Sequence, residues 1–318
     1  MTALITYFLI LQKYLKLLPI KLSKNKPFKM ISIIAAVYNQ YEMNKLFLEL
    51  LEKYTRNEYE LLIIDNGSTD GSQKLFRNHG ATVIQNAANY SYPYCQNQGI
   101  QLAKYDILAF FNNDIIVSPD WDLKLIASMK KYNLDVCGFG CNDTIEKGFE
   151  DIHMIKRKWK SVKNPIHTLF GCRSFALKWM LKLMYRNWEN WTENWAKKHK
   201  GEIREGLSGS CVICTRHAID LIGRWDERIQ TADFDIFMRT KKRHLELGDI
   251  QPPSNIMDIY VHHFGRLTMK KTHPVFFDHE NMLELKQKWG DSANPLLKDI
   301  NVQLTDRLRK LEKSESRI

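Results

Sequence analysis

The chain has 318 residues, 44% of them hydrophobic and 26% charged, with a net charge of +11 and a pI of about 9.2. That is enough for one large or two modest domains with a sizeable core, and it reads as an ordinary soluble globular protein. The basic excess points to nucleic acid, an anionic membrane surface or a phosphate-rich substrate, and six cysteines are too sparse for a disulfide scaffold, so reduced thiols in a cytoplasmic compartment are expected.

Residues 1–29 read as an amphipathic, basic extension. Ala3 to Leu11 is apolar, but Lys13, Lys16 and Lys21 follow quickly. The run is far short of the ~20 residues that a membrane-spanning helix needs, and it lacks the charged start and cleavage site of a secretion signal. Two readings stand side by side: an interfacial helix giving peripheral membrane contact, and a helix docked on the protein itself.

The regular part begins at residue 30. Ile31 to Val37 is a buried strand by composition. Tyr41 to Tyr54 places Leu46, Phe47, Leu50, Leu51 and Tyr54 on one helical face. Leu61 to Ile64 is a second strand ending at Asp65, and Asn66 to Ser72 is a turn rich in helix-capping residues. A helix over Ser72 to His79, a strand over Thr82 to Gln85 and a helix over Gln96 to Lys104 follow. Ile107 to Phe111 is an unbroken apolar run that stops at Asn112-Asn113-Asp114. Such a run reads as a buried strand of a parallel sheet, and ligands bind at the carboxyl ends of such strands. Asp114 therefore stands where a ligand, or a metal holding one, is expected. The alternative is a plain Asx turn. Alternating strands and helices predict an α/β fold, Rossmann-like, with a mainly parallel sheet and helices on both faces.

The second half is less regular. Asp135 to Gly140 reads as a strand. Residues 145–205 are rich in Lys and Trp without strand alternation, and read as a helical insertion. Trp188, Trp191 and Trp195 share one helical face, which suits packing on the core, with an aromatic platform for a sugar or lipid-linked acceptor as the alternative. Lys156 to Lys163 interleaves bases with Trp159; a solvated basic face is the commoner explanation, so nucleic acid is an unlikely partner. Gly206 to Thr215 enters a strand containing Cys211-Val-Ile-Cys214. A lone CxxC with no second pair reads as core strand rather than zinc or redox site. A short helix over Arg216 to Gly223 follows. A helix of about three turns opens at Thr231 with Asp233 and Asp235, acids that suit a helix N-terminus whatever else they do. Ile256 to Val261 is a late strand ended by His262-His263-Phe264-Gly265, Pro274 to Trp289 is a terminal helix, and the charged chain from Asn301 is expected to fray.

Four motifs now stand in one order: Val37-Tyr38-Asn39, the Asp-Asn-Gly-Ser-Thr-Asp-Gly-Ser turn at 65–72, Asn112-Asn113-Asp114, and Asp233-Phe-Asp235. Together with Asn97-Gln98-Gly99 and Gly223-Arg224-Trp225-Asp226, they resemble the inverting glycosyltransferase family 2 on the GT-A fold, over roughly residues 30–265. The resemblance implies a transferase domain at 30–265, with residues 266–318 a C-terminal helical region. It implies that Asp65 binds the base or ribose of a nucleotide-sugar, with Val37, Tyr38, Asn39, Asn97 and Asn113 in the nucleotide site. Asp114 would hold Mn²⁺ or Mg²⁺ against the diphosphate, with His263 as a further ligand and His262 its rival one position away. Asp233 would be the general base. A UDP-sugar is the favoured donor, and the acceptor would be a glycan, a lipid carrier or a protein. Two departures stand out: the first acid of the metal motif is the amide of Asn112, and the Glu usually before the base is Ala232.

The chemistry asks for such groups. The departing diphosphate develops negative charge that a divalent cation neutralises, and the incoming hydroxyl needs a carboxylate to accept its proton. Competing readings are a nucleotidyltransferase, opposed by the lack of glycine or base in Ala35 to Gln40, and a non-catalytic sugar or nucleic-acid binder, in which Asp65, Asp114 and Asp233 together would be unneeded.

Overall fold

The computed structural model describes residues 31–143, 150–265, 267, 275–292 and 296. The expectations for residues 1–29 and for the chain from Asn301 lie outside them.

One nine-stranded sheet organises the molecule. Its strands are β1 (Ile31–Val37), β2 (Tyr59–Asp65), β3 (Thr82–Gln85), β4 (Ile107–Phe111), β5 (Ile115–Val117), β6 (Val136–Cys141), β7 (Ile203–Glu205), β8 (Cys211–Thr215) and β9 (Ser254–His263). They lie in the order β3-β2-β1-β4-β8-β6-β9-β5, with β7 on β9. The half β3-β2-β1-β4 is parallel, β8 enters antiparallel between β4 and β6, and β6 and β9 are again parallel. The helices are α1 (Tyr41–Tyr54), α2 (Ser72–Asn78), α3 (Tyr92–Leu102), α4 (Trp121–Tyr132), α5 (Glu150–Phe170), α6 (Ser174–Tyr185), α7 (Trp188–Lys198), α8 (Arg216–Ile222), α9 (Ala232–Leu247) and α10 (Leu285–Trp289). One hydrophobic core, holding Phe47, Phe111, Trp121 and Tyr260, lies under α1, α4 and α5–α7. The other, holding Ile34, Phe110, Trp225 and Phe237, lies under α3, α8 and α9. This is the expected α/β architecture with both faces covered.

Strand alternation explains the cysteine pair. Cys211 belongs to the first core and Cys214 to the second, so the two thiols sit on opposite sides of β8 and cannot share a metal. Burial pushes Cys214 up to about 12. Close packing explains the Asn-x-Gly segment: a Cβ on Gly99 would lie 2.2 Å from Ile34 Cγ2, so only glycine lets α3 rest on β1.

Four expectations need correction. Residues 145–205 do contain a strand, the three-residue β7 at the sheet edge. The helix at Thr231 runs sixteen residues to Leu247, beyond three turns. His262 and His263 are the last residues of β9 rather than its terminator, because β5 extends the ladder, pairing Ile115 with His263 and Ile116 with His262. The helix expected over Pro274 to Trp289 is confined to α10 after a single 3-10 turn at His279–Asn281. Tertiary bonds draw that segment out of helix: Asp278 accepts from Ser91 N and Oγ, Phe277 N donates to Asn89 O, and Leu283 N to Arg228 O. Helix restarts only where Glu284 and Gln287 form a capping box.

Candidate active site

The carboxyl ends of β1, β2 and β4 stand side by side, Val37 level with Asp65 in the register. At the end of β2, Asp65 is fully buried. Its Oδ1 accepts from Gly67 N at 3.1 Å, Ser68 N at 2.9 Å and Gln73 Nε2 at 2.8 Å, which fixes the 65–72 turn. Its Oδ2 has no partner among the described residues. A buried acceptor left open in this way is costly and marks a place for a donor group.

The turn after β1 closes over it. Asn39 and Gln40 both take left-handed backbone conformations, φ 56° and 70°. Asn39 N donates to Ser68 Oγ at 2.7 Å, and Asn39 Oδ1 accepts from Thr69 N at 2.8 Å. Tyr38 lies at the surface beside this pair. The buried Asn44 of α1 ties the corner together. Its Nδ2 donates to Asn39 O and Ser72 Oγ, and its Oδ1 accepts from Asn113 Nδ2 at 2.6 Å. Asn113 is thus spent on positioning the turn after β4. Asn44 was not singled out from the sequence, although a polar residue among the buried positions Met43, Asn44 and Phe47 was its signal.

Asn97 goes elsewhere. Its Nδ2 donates to Trp225 O at 2.9 Å and Glu227 Oε1 at 2.8 Å, and its Oδ1 accepts from Trp225 N at 3.1 Å. All three bonds clamp α3 to the loop that leads into α9.

The β5–β9 pairing delivers Asp114 to His263. Phe264 N donates to Asp114 O at 2.9 Å, and the Asp114 Oδ1 to His263 Nε2 distance is 3.0 Å. The other ring nitrogen, Nδ1, is 2.6 Å from Asp143 Oδ2. Asn142 holds the His263 backbone at both ends, accepting from its N at 2.7 Å and donating to its O at 2.9 Å. Burial alone would push the His263 imidazole down, but Asp114 and Asp143 raise it to about 10. Burial would raise the Asp143 carboxyl, but His263 holds it well below the usual carboxylate range. Asp143 and Asn142 were missed in the sequence. They stand just past the end of β6, the same kind of strand-end position that drew attention to Asp114.

His262 faces the other way. It is fully buried, its Nδ1 lies 2.7 Å from Tyr185 OH, and Trp159 meets its ring edge-on at 4.3 Å. Burial holds this imidazole well below its ordinary range and therefore neutral. The alternation of β9 places His262 in the core and His263 at the strand-end site. The same core takes Trp188, Trp191 and Trp195, which line up along α7 against Tyr260 at 6.0, 4.7 and 5.0 Å. The tryptophan stripe is a packing stripe.

The two acids that open α9 also divide. Asp235 is fully buried against Arg239 at 2.8 Å, Lys288 Nζ at 2.6 Å and Trp289 Nε1 at 2.9 Å. Asp233 lies against the 206–210 loop, where a Cβ on Gly209 would come within 2.5 Å of Asp233 Oδ2. The preceding residue, Ser208, donates to Asp143 Oδ1 at 2.9 Å. One loop therefore touches Asp233 on one side and the Asp143–His263–Asp114 chain on the other.

Among the described residues no three His, Cys, Asp or Glu side chains converge as a complete metal cage. A carboxylate oxygen and an imidazole nitrogen at the strand ends do make a partial donor set that suits a divalent cation whose other ligands are oxygens of a bound molecule.

The sheet is parallel through β3-β2-β1-β4, with Asp65 at one strand end, Asp114 just past another and Asp233 in the first turn of α9, an α/β arrangement on which glycosyltransferases are built. Residues 32–187 match the family model "Glycosyl transferase family 2", and over that stretch the chain belongs to this family. It is 27% identical over 126 residues to glycosyltransferase AglE of Haloferax volcanii, covering 37% of this chain and 41% of that protein, so it spans less than half of that relative's length. It is 26% identical over 288 residues to the poly-beta-1,6-N-acetyl-D-glucosamine synthase of Staphylococcus epidermidis, covering 81% of this chain and 69% of that one. Among solved structures it is similar to the mannosyltransferase PcManGT of Pyrobaculum calidifontis, in complex with GDP-Man and Mn²⁺, at a TM-score of 0.45 and 12% identity, covering 99% of this chain and 88% of that one.

Proposed function

We propose that the chain moves a sugar from a nucleotide-diphosphate donor to an acceptor hydroxyl, with inversion and with a divalent cation, Mn²⁺ or Mg²⁺. The observation that carries this reading is the 206–210 loop, which meets Asp233 at Gly209 and, through Ser208, the Asp143 that bonds His263 next to Asp114. Asp114 and His263 would hold the cation, which when bound neutralises charge developing on the departing diphosphate. His263 Nδ1 would keep its proton on Asp143, leaving Nε2 for the metal, the common carboxylate–histidine arrangement. Asp65 would take the base or ribose through its open Oδ2, with Tyr38 beside it. Asp233 would accept the hydroxyl proton as the donor bond breaks. Asn97 and Asn113 would act through the loops they brace. Uridine is the favoured base. The transferase unit would run from residue 30 to 265, with α5–α7 on its acceptor side, and the acceptor would be a glycan, a lipid carrier or a protein.

The test is hydrolysis of UDP-sugars with and without Mn²⁺. Wild type should show metal-stimulated release of UDP, and Asp114→Ala should lose that stimulation. Full metal-stimulated turnover by Asp114→Ala would remove the metal assignment.

A further inference from the structure

Among the described residues, the α5–α6 hairpin leaves one face unpartnered. On α6, Phe175, Trp179 and Leu183 are spaced four residues apart and are 52%, 44% and 47% exposed. Leu169, at the end of α5, is also exposed, and Phe170 joins the patch, with ring centroids 5.5 Å from Phe175 and 6.0 Å from Trp179. A row of large exposed apolar side chains is unusual for a face that meets only water.

Bases surround this row. Lys178 and Lys182 fall on the same outward arc of α6 at helical spacing, Arg186 stands exposed just past its C-terminus and Arg173 at its N-terminus. Helix α6 contains no acidic residue. Residues 150–186 carry nine Lys and Arg against only Glu150 and Asp151, so the hairpin is strongly basic. Lys178 is bonded to Glu49 of α1 at 2.8 Å; Lys182, Arg186 and Arg157 are exposed beyond it.

We propose that this face is a peripheral docking surface for an anionic lipid bilayer. A helix that shows aromatic and aliphatic side chains interleaved with Lys and Arg suits the headgroup region, where rings and aliphatic chains enter the acyl boundary and cations meet phosphates. Charge argues against the chain's own first 29 residues as the occupant: they hold six Lys and no carboxylate, so they would add to the positive field. The hairpin is also fixed to the strand-end site. Trp159 Nε1 donates to Phe264 O at 3.2 Å, Lys163 Nζ to Gly265 O at 2.9 Å and Lys156 Nζ to Asp143 O at 3.0 Å. On the function proposed above, a bilayer on this face would bring membrane-borne acceptors to the acceptor side. The docking itself does not depend on that function.

The experiment is vesicle co-sedimentation of the full chain, with no turnover read, on phosphatidylcholine vesicles with and without phosphatidylglycerol. Wild type should sediment with the mixed vesicles at low salt, and not with phosphatidylcholine alone. The triple variant Phe175→Ser, Trp179→Ser, Leu183→Ser should bind at least ~10-fold more weakly, and Lys182→Glu with Arg186→Glu should weaken binding and its salt dependence together. All five positions are exposed, so melting temperatures should stay near wild type. Absent vesicle binding, or equal binding by wild type and both variants, overturns the assignment. So does retention on single-stranded RNA in place of vesicles, or a dimer without vesicle binding that the triple variant disperses, which would give the face to a second copy.

Discussion

At the residue scale, the site depends on a few atoms that have no spare room. Gly209 is one. An alanine there would place Cβ 2.5 Å from Asp233 Oδ2 and 2.8 Å from its Cγ, so the carboxylate must move. Gly209→Ala should therefore cost turnover by ~10²-fold or more, as loss of a general base does, while the dissociation constant for UDP stays near wild type. Titration calorimetry beside steady-state rates separates the two, and equal losses in both would remove Asp233 from the base role. Asp143 is another such residue. It reaches the site through His263 Nδ1 at 2.6 Å. Asp143→Ala should weaken Mn²⁺ binding by ~10–100-fold, as removal of a carboxylate behind a histidine ligand does. Electron paramagnetic resonance of free Mn²⁺ reads this without turnover. Unchanged affinity would reduce Asp143 to a structural partner of Ser208.

At the element scale, helices are placed by how they bridge the sheet. Helix α3 is clamped through Asn97 to the loop before α9, and Gly99 lets it touch β1. The hairpin and α7 are tied back to α1. Glu189 at the start of α7 takes Lys53 Nζ and Tyr54 OH, each at 2.6 Å. The Lys53 bond, with Tyr54 adding to it, lowers the Glu189 carboxyl from 4.5 to about 2. A carboxyl lowered by folding stabilises the fold above its unfolded value and loses that contribution as pH falls through its folded value. The pH window therefore lies between about 4.5 and 2. Both partners are well exposed, so the contribution is small. The stability gap between wild type and Glu189→Gln in urea melts should be largest above that window and close within it. A gap independent of pH would show that the pair does not hold α7 on α1.

At the scale of the whole molecule, on the proposed function the parallel half of the sheet would supply the nucleotide corner, and the antiparallel strands β8 and β5–β9 would bring the remaining groups to it. Donor and cation would then be bound by parts of the chain far apart in sequence, Asp65 at one end and His263 at the other. Such a site should show linked binding. UDP should raise the melting temperature by a few degrees only with Mn²⁺ present, because each stabilises the folded state by mass action. Equal shifts with and without metal would mean that the diphosphate does not meet the Asp114–His263 pair. No helix of the described residues is long and apolar enough to cross a membrane.

Local pattern alone determined much of this protein. The strands Ile31–Val37 and Ile107–Phe111 and the helix Tyr41–Tyr54 follow from apolar runs and helical spacing, because each buries its face on its own neighbours. Strand ends rich in Asn and Asp pointed to Asp65 and Asp114 for the same local reason. What only the tertiary structure decided is which side chains meet. The short strands β5 and β7 carry too few residues for a periodic signal, yet β5 sets the register that brings His263 to Asp114 and turns His262 into the core. Asp233 and Asp235 look alike at a helix start, and only Lys288 and Trp289, about fifty residues on, claim Asp235 for the core. Asn97 and Asn113 read as ligand contacts, but their Nδ2 groups bond to residues distant in sequence, Trp225 and Glu227 for the one and Asn44 of α1 for the other. Hydrogen bonds and ion pairs of that kind are made after the chain has folded back on itself, and no spacing along the sequence encodes them.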